Sequence, residues 1–65
     1  MDFVVEKIEK VMENLERALN NIENGELRLA IADLRHAEEN STEGIYILLA
    51  ELEEMNKNGK WFHNG

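Results

Sequence analysis

The stretch ALNNIENGELRLAI, residues 18–31, carries an Asn24-Gly25 pair between two segments with the apolar spacing of an α-helix. Asparagine and glycine tolerate the left-handed backbone conformation that commonly ends a helix, so this pair predicts a tight turn. The chain contains no proline, and helix can therefore continue without interruption on both sides of the turn. The sequence predicts an all-α fold built on an antiparallel two-helix hairpin.

The segment before the turn has the heptad spacing of a helix that buries one stripe against a partner. Its stripe consists of Val4, Ile8, Val11, Leu15, Ala18 and Ile22. Apolar neighbours widen this stripe by one column, namely Val5, Met12 and Leu19. Asp2 is suited to cap the start. We expect helix 1 at about residues 3–24, with the turn at 24–25.

The segment after the turn repeats this spacing across two polar positions. Its stripe consists of Leu27, Ile31, Leu34, Glu38, Ser41, Ile45, Leu48, Leu52 and Met55. The unbroken spacing favours a single helix at about 26–57, followed by a tail at 59–65. A column of small residues beside the stripe would let a neighbouring helix approach closely; its members are Ala30, Ala37 and Gly44.

Residues 40–44 leave a second architecture open. The sequence Asn-Ser-Thr-Glu-Gly is poor in helix formers and resembles a capping box, which would break the second helix into 26–39 and 42–57. A broken helix would give a monomeric three-helix bundle. A continuous helix would give a hairpin that assembles into a four-helix-bundle-like homodimer or higher oligomer. We expect the oligomer, because residues 45–49 are apolar on all sides of a helix and one partner helix cannot cover them.

Composition excludes several functional classes. The 65 residues allow one domain, 1–65, and the absence of cysteine excludes disulfides and thiolate metal sites. Fourteen acidic against seven basic residues, a net charge of −7, argue against direct nucleic-acid binding. The longest apolar run has six residues, Ile45 to Ala50, whereas a membrane span needs about 20. With no cysteine and no basic leader at its start, the chain is expected to be cytoplasmic, and its small size alone suggests a bacterial or phage origin.

The sequence offers little for catalysis or metal binding. Asp33, His36 and Glu39 have the acid-x-x-His spacing of di-metal bundles, but they lie off the apolar stripe, so we expect a solvated polar patch. No nucleophile–base grouping and no glycine-rich phosphate loop is present. We therefore expect no enzyme, no catalytic residues, no metal and no cofactor.

The expected function is that of a small acidic protein-interaction module that self-associates and binds or inhibits another protein. Candidate interface residues are Ala37, Gly44, Ile45, Leu48, Leu49, Leu52, Trp61 and Phe62. Glu38 and Ser41 either lie where the hairpin ends or bends, or form a polar layer that sets the oligomeric state. Trp61 and Phe62 either fold back over the core or anchor another protein.

Two alternative functions stay open. One is an acidic inhibitor that imitates nucleic acid with rows of carboxylates. Its candidate residues are Glu9, Glu16, Glu23, Glu51, Glu53 and Glu54. The other is a metal-binding helical bundle. Neither alternative involves a membrane.

Overall fold

The structure, a computed structural model, describes residues 2–58 as two helices, α1 at Asp2–Glu23 and α2 at Leu27–Asn58. The helices pack against each other and run antiparallel. α2 continues unbroken through residues 40–44, so the described residues form a two-helix hairpin and not a three-helix bundle. The predicted tail, with Trp61 and Phe62, lies outside the described residues.

The turn ends α1 with a Schellman motif. Gly25 adopts a φ of 76°, in the left-handed region that favours glycine. Its N–H donates to the carbonyl of Ile22 at 3.0 Å, and the N–H of Glu26 donates to the carbonyl of Asn21 at 2.7 Å. These bonds satisfy carbonyl groups that the end of a helix leaves without partners. The turn thereby reverses the chain within three residues.

The two helices meet along small and polar side chains, which we call the hairpin seam. Its buried or half-buried members are Val4, Lys7, Val11, Asn14, Ala18, Asn21, Ala30, Asp33, Ala37, Asn40, Gly44 and Ile47, and Ile47 is the one bulky aliphatic side chain beyond valine among them. A Cβ placed on Gly44 would lie 3.7 Å from the Cβ of Lys7. This distance is an ordinary contact between helices that approach closely.

The seam corrects the predicted packing of both helices. The predicted stripe of α1 is only partly buried. Three of its members, Ile8, Leu15 and Ile22, remain about half exposed. On α2 the buried column is the small-residue column beside the predicted stripe. The reason is that alanine and glycine allow the two backbones to approach closely, while bulky side chains would hold them apart.

The hairpin is a long, thin body with no core beyond its seam. Its dimensions are 52 by 19 by 15 Å and its radius of gyration is 16.4 Å, against about 11 Å for a compact domain of this length. Neither described helix combines the length and apolarity that crossing a membrane requires.

Candidate functional site

Besides Phe3, Leu29, Tyr46 and Leu49, thirteen large apolar side chains of the described residues are exposed. These thirteen form two rows, which together we call the apolar face. Each is at least 40% exposed in the single chain. The row on α1 consists of Val5, Ile8, Met12, Leu15, Leu19 and Ile22. The row on α2 consists of Leu27, Ile31, Leu34, Ile45, Leu48, Leu52 and Met55.

Both rows lie on the same side of the hairpin. On α1 the row follows the seam by one position, as Met12 follows Val11, and on α2 Ile45 follows Gly44 in the same way. One position turns about 100° around a helix axis, and the same turn on two antiparallel helices leads to the same side. A shared groove agrees with this, since Ile8 and Met12 line it together with Ile45 and Leu48.

The size of the apolar face makes it a candidate interface. The length of α1 is about 33 Å and the hairpin is 19 Å wide, so the side of the hairpin that carries the apolar face has a projected area on the order of 600 Å², polar residues included. Monomeric proteins rarely expose a contiguous apolar patch larger than about 300–600 Å². The apolar face lies at the upper end of this range, which makes it a candidate interface.

Two polar residues, Glu38 and Ser41, interrupt the α2 row near its middle. Both are exposed, and both line a groove with Leu15 and Leu34. α2 runs unbroken past them, so neither residue marks a helix end. They place a carboxylate and a hydroxyl inside an otherwise apolar surface.

Polar contacts across the seam fix how α1 lies on α2. The Nδ2 of Asn21 donates to Oδ2 of Asp33 at 2.7 Å, and the Nδ2 of Asn40 donates to Oδ1 of Asn14 at 3.0 Å. Lys7 forms an ion pair with Glu43. No buried side-chain nitrogen or oxygen in the described residues lacks a partner, which is what a buried polar seam requires.

The prediction of a solvated Asp33–His36–Glu39 patch is wrong for Asp33. Asp33 is only 9% exposed and faces α1, because its carboxylate accepts the bond from Asn21. His36 and Glu39 are exposed, with 3.7 Å between the imidazole Nδ1 and the carboxylate. Within residues 2–58 no group of three histidine or acidic side chains is arranged to hold a metal ion.

The candidate interface residues fall into separate environments. Ala37 and Gly44 are buried in the seam, whereas Ile45, Leu48 and Leu52 lie on the apolar face. Leu49 is exposed beside Tyr46 at the outer edge of α2. Trp61 and Phe62 lie outside the described residues.

Sequence reasoning missed the polar residues of the seam. Asn14 and Asn21 are one heptad apart, as are Asp33 and Asn40, and this spacing was the available signal. The apolar columns have the same period and are predicted to be the buried ones, because burial of large apolar groups is the usual driving force of folding.

Comparison with known proteins assigns no family to this chain. No protein-family model matches it, and neither a curated protein nor a solved structure does. What the protein does is therefore inferred from the apolar face, the seam and the charged edges of the hairpin.

Proposed function

We propose that this protein is a small, acidic, non-enzymatic interaction module that self-associates through its apolar face and binds or inhibits another protein. The observation that supports the proposal is the exposure of thirteen large apolar side chains on one side of the hairpin. Apolar surface removed from water contributes about 25 cal/mol per Å². Covering this face therefore supplies the stabilisation that a seam of small and polar residues lacks.

A second copy is the occupant that fits the area and shape of the face. Two faces of roughly 600 Å² each would bury at least about 1,200 Å² in total, which lies at the lower bound of a stable protein–protein interface. Two flat pairs of antiparallel helices placed face to face form a four-helix bundle, in which each apolar row meets another row. Self-association thus covers both rows at once.

Exposed apolar side chains that self-association through the apolar face would leave uncovered lie at the outer edge of α2. Tyr46 and Leu49 are 67% and 52% exposed and lie outside the apolar face. An aromatic ring beside an aliphatic side chain is a common anchor in protein interfaces. These residues support the second half of the proposal, in which the assembled module binds another protein.

The proposal that the protein self-associates is tested by size-exclusion chromatography with light scattering at several protein concentrations. We expect the mass of a dimer or a higher oligomer, and we expect Leu48→Asp to give monomer or unfolded chain. Ala32→Asp is the matched control, because Ala32 is exposed on the side opposite the apolar face. A wild-type protein that stays monomeric at high micromolar concentration would overturn the proposal.

The acidic inhibitor is a second candidate, supported by the exposed carboxylates of Glu9, Glu16 and Glu23 along one edge of α1. One heptad separates successive members of this row, a spacing of about 10.5 Å. A protein captured through these charges should dissociate as salt rises, because screening weakens exposed charge pairs. Binding that is insensitive to salt would favour the apolar interaction instead.

A further inference from the structure

The two outer edges of the apolar face carry opposite charges. On α1 an acidic residue follows the apolar row by one position, as Glu16 follows Leu15 and Glu23 follows Ile22. On α2 the heptad column in the same relation to Leu27 and Leu34 begins with Arg28 and Arg35 and continues with uncharged residues, so the basic edge is confined to the half of the hairpin near the turn. Glu16, Glu23, Arg28 and Arg35 are all exposed, and none of them belongs to an ion pair found within residues 2–58.

The acidic and basic residues occupy similar heights along the hairpin. Leu15, which precedes Glu16, lines one groove together with Arg35. Near the turn, the contact between Asn21 and Asp33 brings Glu23 within about one to two helical turns of the height of Arg28. Within one chain these pairs cannot meet, because the carboxylates lie on one edge of the hairpin and the guanidinium groups on the other.

We propose that two copies pair about a two-fold axis parallel to the helices, so that α1 of each copy packs on α2 of the other. This inference depends on the proposed self-association. Rotation about such an axis keeps every residue at its own height and exchanges the two edges. Glu16 of one copy therefore meets Arg35 of the other, and Glu23 meets Arg28, twice each in the dimer.

The alternative two-fold axis lies perpendicular to the helices and would bring like charges of the two copies together. It stacks α1 on α1 of the second copy with the direction reversed. Glu9 of one copy then lies close to Glu16 of the other, so the two acidic rows share one edge. Like charges held close together destabilise an interface and oppose this geometry.

The apolar rows also match in the parallel-axis arrangement. The contacts of Asn14 with Asn40 and of Asn21 with Asp33 fix which residues lie at equal heights, and they place Ile8 level with Ile45 to within one residue. In the dimer Ile8 of one copy would face Ile45 of the other. Leu15 of one copy would lie level with Glu38 of the other, and about one and a half helical turns from Leu34. The arrangement therefore covers most of both rows while it pairs the charged edges.

Charge reversal at one pair distinguishes the two geometries. We expect Glu16→Lys alone and Arg35→Glu alone each to raise the dimer dissociation constant on the order of tenfold at low salt, since each change affects two symmetry-related pairs. The double variant should recover most of the wild-type affinity. Sedimentation equilibrium measures these constants, and circular dichroism checks that each variant remains helical.

The control and the second pair make the outcomes unambiguous. Lys10→Glu reverses a charge, as Arg35→Glu does, but at an exposed position one residue before Val11 of the seam, on the side opposite the apolar face; it should leave the dissociation constant within about threefold of wild type. Glu23→Lys with Arg28→Glu repeats the test if a variant of the first pair does not fold. A dimer that Glu16→Lys tightens would overturn the parallel axis in favour of the perpendicular one. A wild-type chain that never dimerises would overturn the proposed function itself.

Discussion

Asn40 on α2 donates a hydrogen bond from its Nδ2 to the Oδ1 of Asn14 on α1, across 3.0 Å at the middle of the hairpin seam. Asn14 is 7% exposed, so its amide depends on this partner and not on water. A buried amide pair specifies one register, because a shift of either helix would leave both amides without partners. The seam therefore sets the alignment of the helices more than it stabilises them.

Replacement of Asn14 by alanine should lower the free energy of unfolding by about 1–2 kcal/mol, since the half-buried amide of Asn40 loses its acceptor. The double variant Asn14→Ala/Asn40→Ala should lose less than the sum of the single changes. Urea denaturation at one protein concentration measures this coupling. Asn20→Ala, at an exposed position on α1, is the control. Strict additivity would show that the two amides act independently.

Asp33→Ala should destabilise the hairpin by about 1–3 kcal/mol, because it removes a charged acceptor from the buried contact with Asn21. Asp33→Asn should lose less, since its amide oxygen can still accept the bond. Thermal unfolding followed by circular dichroism ranks the variants. Glu39→Ala is the matched control, as Glu39 is an exposed acid on the same helix. Equal melting temperatures for Asp33→Ala and Glu39→Ala would contradict the buried role.

Gly44→Ala should stabilise the protein by up to about 1 kcal/mol, because alanine is the better helix former and its Cβ meets Lys7 at an ordinary 3.7 Å. Gly44→Leu should instead destabilise it by about 1–3 kcal/mol, since a bulky side chain would force α1 away. Chemical denaturation measures the free energy of unfolding of both variants, which should rise for Gly44→Ala and fall for Gly44→Leu. A Gly44→Leu protein as stable as wild type would show that the helices are not in close contact there.

Gly25→Ala should lower the free energy of unfolding by about 1 kcal/mol, because its φ of 76° strains any residue with a Cβ. Gly25→Asn should lose less, as asparagine enters the left-handed region more readily. Apart from Gly25 itself and its two chain neighbours, no residue has an atom within 4 Å of a Cβ at this position, so the effect would come from the backbone alone. In thermal unfolding, the melting temperature should be highest for the wild-type glycine, lower for Gly25→Asn and lowest for Gly25→Ala.

Glu38→Leu should strengthen self-association by about tenfold or more, since it replaces a carboxylate in the apolar face with an apolar side chain. Analytical ultracentrifugation measures the change in the dissociation constant. Glu39→Leu adds the same side chain one position away, outside the apolar face, and should change the constant little. Identical constants for the two variants would place Glu38 outside the interface.

The helices and the turn could be predicted from the sequence because their causes are local. Asn24-Gly25 ends one helix through backbone conformation, and the absence of proline lets the next continue through residues 40–44. The expected ranges, 3–24 and 26–57, differ by one residue at each end from Asp2–Glu23 and Leu27–Asn58. The existence of an apolar surface that a single hairpin cannot cover also followed from the spacing.

Only the tertiary structure decided which column of each helix forms the seam. The small and polar column has the same heptad period as the bulky one, so periodicity cannot distinguish them. The choice depends on how closely two backbones can approach and on whether Asn14 finds Asn40, a partner 26 residues away. Such contacts are set by the packing of both helices together. This is why Asp33 is buried, while Leu15 and Ile45 remain on the surface.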